Sequence, residues 1–365
     1  MPASLKDIAA KLGLSIATVS RALQDNPAIK LQTRQLVMQT AREMHYSKNF
    51  IANSLRSGQL PVIGVIVPHG VTLFYSSVLD GIEQEASKAG YAVINMNSHE
   101  SFERERHNVE SMQQLHVAGI IASVTQETET FDHFAALAKT QIPVVFVARD
   151  IPEASLPIPS TSPKKNNTVP HFSSVTADSV EAAHRATRHL IEQGCRRIAI
   201  LCGPARLKMV QERKHGYIEA LHDNRLLVRR EYVVYSDIDM ASAIDATNSL
   251  LDLPERPDAI IALNDTLLFA AMKAVKQNGL RIPQDVALIG FSDVEYVEDV
   301  TPTLSTIEDQ SHLMGQTACQ LLIDHIHGQQ LPIHRIIPTI QKIRESSRIK
   351  FQDAPSLVSE DKLHF

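Results

Sequence analysis

The sequence has no tryptophan, three cysteines in 365 residues and only 5% aromatic side chains. Cys195, Cys202 and Cys319 include no Cys-x-x-Cys pair, and an odd count in so long a chain argues against a disulfide framework and for a reducing compartment. No apolar run reaches the roughly 18 residues of a membrane span, and the opening MPASLKDIAAKLG has charges where a secretory signal has its apolar stretch. The expected location is the cytoplasm, with no membrane partner.

Motifs of catalysis are also missing. There is no G-x-x-x-x-G-K-[ST], no G-x-G-x-x-G after a strand, no G-x-S-x-G and no H-E-x-x-H. The sixteen histidines are scattered, and pairs such as His184/His189 and His325/His327 lack a carboxylate or cysteine at ligand spacing. The sequence predicts no enzyme, no metal site and no cofactor.

What is present is a globular composition, 44% hydrophobic, long enough for two or three domains. Its charge is uneven: residues 1–58 hold eight Lys/Arg against three acids, +5, so the remainder carries −10 of the net −5. A basic module on an acidic body suits a polyanionic partner at one end, although a merely solvated charged face has the same composition.

Within that module Leu5, Ile8, Ala9 and Leu12 recur at helical spacing behind Ser4, a fitting N-cap, and Gly13 suits a left-handed helix end. Ser15 then caps a second helix, whose inner face needs only Val19, Ala22 and Leu23. After the turn Asp25-Asn26-Pro27, Leu36, Val37, Thr40, Ala41 and Met44 mark the inner face of a third. Two helices joined by a tight turn, the second with Ile16, Ala17, Thr18, Ser20 and Arg21 outward, describe a helix-turn-helix. Ile16 and Ala17 suit thymine methyls, Thr18 and Ser20 suit phosphates or bases, and Arg21 suits a guanine edge. A plain three-helix packing unit with a polar surface remains open on geometry alone.

From residue 62 short apolar runs alternate with helix-length segments: VIGVIV (62–67), AVINM (92–96), AGIIASV (118–124) and PVVFVA (143–148). A polar segment with five prolines, 152–171, reads as a surface loop, after which RIAILC (197–202), EYVVYS (231–236), DAIIAL (258–263) and DVALIG (285–290) resume the rhythm. The expected fold is an all-α helix-turn-helix head followed by α/β: two doubly wound parallel-sheet subdomains in tandem. The expected boundaries are 1–48 for the head, 49–60 for a hinge helix and linker, 61–345 for the body and 346–365 for a tail without coiled-coil heptads.

The run LKDIAAKLGLSIATVSRAL, then NPAIKLQTRQLV, then HYSKNFIANSLRSG resembles the DNA-binding domain of the LacI/GalR family of transcription regulators across residues 4–58. That resemblance implies base reading by Ile16, Ala17 and Arg21, and phosphate positioning by Ser15, Thr18, Ser20, Gln24 and Thr33. It also implies a hinge helix that forms on DNA and wedges a leucine into the minor groove: Leu55, with Asn49 at its start, Ala52 at the pairing face and Arg56 near the phosphates. Lys30 and Lys48 depart from the family, which commonly has serine before the third helix and proline before the hinge.

Residues 61–345 resemble the family's effector-binding core, which is periplasmic-binding-protein-like, and ligands of such folds bind at the carboxyl ends of strands. The resemblance places Leu73, Phe74, Tyr75, Ser123, Arg213, Asn264 and, more weakly, Asp293 at the effector site. Two carboxylates usual in the family are absent, being Ala148 in VAR and Ser292 in GFSDVE. A sugar or sugar derivative is the implied effector class, and a phosphorylated or acidic ligand also accommodates the loss of these carboxylates. The expected function is a homodimeric repressor of pseudo-palindromic operator DNA under small-molecule control. The rivals are a sugar receptor sharing the α/β body, which would need a secretory signal and no DNA head, and a regulator that ignores small molecules.

Overall fold

The computed structural model describes residues 3–23, 25–46, 60–70, 72–149, 172–329 and 332–349. Two compact units divide the chain, Met1–Leu60 and Pro61–Phe365.

In the first unit α1 (Leu5–Leu12) opens with a reciprocal capping box: Ser4 Oγ accepts from Asp7 N–H while the Asp7 carboxylate accepts from Ser4 N–H at 2.8 Å. Gly13 ends it at φ 62°, where a side chain would be strained. Helix α2 (Ile16–Leu23) starts on Ser15, whose Oγ accepts from Thr18 N–H at 3.1 Å. Helix α3 (Leu31–Glu43) follows Lys30, which makes no side-chain cap bond. Ile8, Val19, Ala22 and Val37 are wholly buried where the three helices meet. Leu36, expected on the inner face, is instead 50% exposed. It sits about 100° around the helix from Val37, so it flanks the face that Val37, Thr40 and Ala41 bury.

The second unit alternates β1 (Leu60–Val67), α4 (Leu73–Lys88), β2 (Ala92–Asn97), α5 (Phe102–Gln114), β3 (Val117–Ala122), α6 (Asp132–Ala135), β4 (Val144–Val147) and β5 (Ser173–Ala177). It continues with α7 (Ser179–Glu192), β6 (Ile198–Cys202), α8 (Lys208–Asp223), β7 (Val233–Tyr235), α9 (Met240–Leu251), β8 (Ala259–Ala262), α10 (Asp265–Gln277) and β9 (Ala287–Phe291). The last elements are β10 (Ser305–Glu308), α11 (Ser311–Ile326), β11 (His334–Ile337) and β12 (Ile340–Lys342). One sheet runs β11-β5-β4-β3-β1-β2 and the other β12-β10-β9-β8-β6-β7. Neighbouring strands pair in parallel, as β1 with β2, β3 with β4 and β6 with β8, whereas β10 and β12 are antiparallel. Strands such as β3, β4 and β6 are buried along their whole length because helices cover both faces, which is why they read as unbroken apolar runs.

The subdomains are not in simple tandem. The chain passes from the first sheet to the second after β5, returns with α11 and β11 after β10, and crosses again to β12. Nor does the body stop at residue 345. Ser346 and Ser347 are fully buried, with Ser346 Oγ donating to Leu288 O at 2.7 Å and Ser347 Oγ to Ser305 Oγ at 2.7 Å, so the residues expected to begin a tail close the second subdomain.

All three cysteines are free and buried, and burial pushes each thiol up to about 12. Thiolate is the nucleophile, so the native protein at pH 8 should resist alkylation by iodoacetamide while the guanidinium-unfolded chain takes up three equivalents. Mass spectrometry of the two samples checks this; labelling of the folded protein at any of the three sites would contradict it.

Candidate functional site

Two surfaces carry the expected site residues. On α2, Ser15, Ile16, Ala17 and Arg21 are exposed, and Thr18 and Ser20 are half-buried, while Val19 and Ala22 face the core. The Ser15 hydroxyl serves as the cap and lies 2.8 Å from Thr18 Oγ1, so both hydroxyls sit at the helix N-terminus, where backbone N–H groups favour an anion. Among the described residues the Arg21 side chain has no hydrogen-bond or ion-pair partner, unlike that of Arg34, which is tied to Asp25. Thr33 is half-buried in the first turn of α3. Gln24, Asn49, Ala52, Leu55 and Arg56 lie outside the described residues.

The second surface is a cleft of about 870 Å³, including solvent open to it, between the carboxyl ends of the two sheets. From the first sheet it takes Phe74 and Tyr75, Glu100 after β2, and Ala148 and Arg149 after β4; from the second, Met209, Val210 and Arg213 of α8, Asn264 after β8, Ser292 after β9 and Asp309 after β10. The rings of Phe74 and Tyr75 meet edge to face at 5.1 Å. Thr72 Oγ1 caps α4 and so sets where both rings stand. Tyr75 Oη is 2.9 Å from Ser123 Oγ, and burial pushes the phenol's pKa up.

Ser123 is fully buried behind Tyr75 and is not part of the wall. Leu73 is not in the wall either; it packs against the core of the second subdomain and lines a neighbouring cleft with Asp293. Asp293 is held by Lys342, Thr306 and Arg344. Burial alone would raise its pKa, but those three hydrogen-bonding partners more than reverse this and hold the carboxyl below its ordinary range. It is a structural anion outside the lining of the larger cleft.

Arg213 is 3% exposed. Its Nη1 donates to Leu263 O at 2.6 Å, its Nη2 to Asp309 Oδ1 at 2.8 Å, and its guanidinium lies 3.9 Å over the Phe291 ring; its Nε is buried without a partner. Asn264 caps α10 by accepting from Leu267 N–H at 2.8 Å. Sequence reasoning missed Arg149, which donates to both Glu100 oxygens at 3.0 Å. It also missed Asp309, whose carboxyl is raised by burial and drawn back only in part by Arg213. Position directly after β4 would have signalled Arg149; β10, at four residues, was too short to signal Asp309.

Ala148 and Ser292, standing where carboxylates were expected, adopt φ 63° and φ 90°. Left-handed backbone at non-glycine residues costs on the order of 1–3 kcal/mol each, and such strain gathers at ligand sites. No group of three or more His, Cys, Asp or Glu among the described residues could hold a metal ion, and no helix is long and apolar enough to cross a membrane.

Comparison with known proteins places both parts of the chain in one family. Residues 60–348 match the family described as periplasmic binding proteins and sugar binding domain of the LacI family, and residues 4–49 match bacterial regulatory proteins, lacI family. Catabolite control protein A of Priestia megaterium is 31% identical over 344 residues, 92% of this chain and 98% of that one. The HTH-type transcriptional repressor PurR of Vibrio cholerae is 26% identical over 360 residues, covering 98% of this chain and 97% of its own. Among solved structures, the complex of transcriptional regulator CelR with cellobiose has a TM-score of 0.69 at 25% identity, covering 94% of this chain and 99% of its own. The lac repressor dimer bound to operator and the anti-inducer ONPF shares the fold, with a TM-score of 0.78 at 23% identity over 95% of this chain and 99% of its own. The chain belongs to the LacI family of bacterial regulatory proteins, and it is a DNA-binding transcription regulator rather than an enzyme.

Proposed function

We propose that this regulator is a cytoplasmic repressor that binds a pseudo-palindromic operator as a dimer, reading base edges with Ile16, Ala17 and Arg21. Ser15, Thr18, Ser20, Gln24 and Thr33 anchor the phosphates, and Asn49, Ala52, Leu55 and Arg56 form the minor-groove wedge of a hinge spanning 49–60. The observation that carries this reading is the α2 surface: exposed Ile16, Ala17 and unpaired Arg21 on a helix whose opposite face is the core. Two half-sites one helical turn apart are the geometric counterpart of two such heads.

The effector, a sugar or sugar derivative, binds between the subdomains against Phe74, Tyr75, Arg213 and Asn264, and shifts operator affinity by about 1–3 kcal/mol, the usual scale of coupling between two sites. Cellobiose on the related CelR supports the sugar class.

Fluorescence anisotropy on the protein's own upstream DNA, with and without a panel of sugars, glycosides and sugar phosphates, tests this. Tight, salt-sensitive binding that one compound shifts is expected; absence of sequence-specific binding would overturn it. Arg21→Ala should weaken binding to the operator by about 1–3 kcal/mol and leave random-sequence DNA nearly unaffected. Equal losses on both would make Arg21 a phosphate contact.

A further inference from the structure

The cleft between the subdomains holds two guanidiniums, and both are committed. Arg149 is paired with Glu100, and Arg213 with Asp309. A third carboxylate, Asp265, also lines the cleft with no cation among its hydrogen-bond partners, so the described lining residues include three carboxylates and two guanidiniums, with the imidazole of His69 beside them. Burial raises the Asp265 pKa, its hydrogen bond from Thr266 N–H lowers it in part, and neighbouring Asp309 raises it further.

Several of the remaining polar groups are spent on the protein. Tyr75 Oη meets Ser123, Thr72 Oγ1 donates to His69 O, and Asn264 Oδ1 accepts from the backbone. What the cleft presents is mostly apolar, from Phe74, Leu207, Met209, Ile238 and Met314. Thioethers beside aromatic rings are soft, adaptable partners for flat apolar groups. Arg213 Nε is a buried donor with no acceptor, and Asn264 Nδ2 donates to no described residue.

We propose that the effector is an uncharged molecule with a large apolar portion, such as an aryl or alkyl group, carried on a part with neutral hydrogen-bond acceptors, and that phosphorylated and carboxylate ligands are excluded. The inference rests on the cleft being the effector site. An anion would enter a wall that already has more carboxylates than guanidiniums, and could be paired with a guanidinium only by breaking Arg149–Glu100 or Arg213–Asp309. A polyhydroxylated ligand without an apolar portion would leave most of the wall without a partner. A neutral glycoside with an apolar aglycone satisfies both halves of the wall.

Two dyes that differ by one sulfonate test this on the full-length protein: N-phenyl-1-naphthylamine, neutral, and 1-anilinonaphthalene-8-sulfonate, anionic. The neutral dye should bind saturably with enhanced fluorescence, at least about tenfold tighter than its sulfonate, a difference worth 1.4 kcal/mol. Met209→Asp, on the half-buried rim of the wall, should weaken the neutral dye by a similar factor while operator binding without ligand is retained. Sulfonate binding as tight as the neutral dye's and lost in Met209→Asp would overturn the exclusion of anions. Neutral-dye binding that is absent, or unmoved by Met209→Asp, would overturn the apolar half. Should both dyes behave as expected while a compound that shifts operator affinity fails to displace them, the ligand class of the cleft stands and its assignment as the effector site falls.

Discussion

Arg213→Ala lowers the stability of the body by about 3–5 kcal/mol, the usual cost of stripping one partner from a buried ion pair. Asp309, 3% exposed, accepts from Arg213 and from no other side chain among the described residues, so its carboxylate would be left in the interior without compensation. The same change removes the donor to Leu263 O at the end of β8 and the guanidinium stacked on Phe291. Asp309 can relieve the strain only by taking up a proton. Its folded pKa, already above the ordinary 3.8, rises further in the variant. A carboxyl raised in the folded state binds protons more tightly there than in the unfolded chain, so stability falls as pH rises. The deficit of the variant is therefore fully present above its own raised pKa and shrinks as pH falls from there toward the pKa of Asp309 in the wild-type fold, which itself lies above 3.8.

Urea unfolding of wild type and variant at several pH values reads this directly, and a deficit independent of pH would remove Asp309 as its cause. The pair variant Arg213→Met with Asp309→Leu should recover most of the loss, because well-packed apolar replacements of a buried pair are often neutral. Recovery of stability without recovery of effector response would separate the structural work of Arg213 from its proposed contact with ligand.

The head was legible because its signals are local. Ser4, Gly13 and Ser15 are helix-end residues whose effect is felt within three or four positions, and the three helices appear where those residues place them. Only Leu36 departed, since apolar character does not reveal which side of a face boundary a residue occupies. The body was legible as alternation but not as topology. Nothing local in STIE (305–308), HRII (334–337) or IQK (340–342) announces that the chain recrosses between sheets, because each is short and the pairing partner is distant in sequence. The cleft follows the same division. Phe74, Tyr75, Arg213 and Asn264 were marked by motif and stand in the wall, whereas Glu100 and Asp309 became site residues only through partners 49 and 96 positions away. Asp293 was misplaced for the complementary reason: its cations, Lys342 and Arg344, come from segments whose arrival beside β9 the sequence does not disclose.

Gly315→Ala should destabilise the body by about 1–3 kcal/mol, although alanine is favoured over glycine inside a helix by about 1 kcal/mol. Helices α4 and α11 cross at two glycines. A Cβ on Gly315 would lie 2.0 Å from Val78 O, and one on Gly81 would lie 2.2 Å from His312 O. Both obstacles are backbone carbonyls, which cannot rotate aside as a side chain can, so the helices must separate. That movement reaches the cleft. Helix α4 begins with the Phe74–Tyr75 wall, and Met314, next to Gly315, lines the same cleft. The variant should therefore lose ligand affinity along with stability, while Gln320→Ala, exposed on the same helix, stays within about 0.5 kcal/mol of wild type. Urea unfolding and neutral-dye titration of the two variants check both effects. A stabilised Gly315→Ala would mean that the helices can spread at no cost, and unchanged dye affinity in a destabilised variant would uncouple their crossing from the wall.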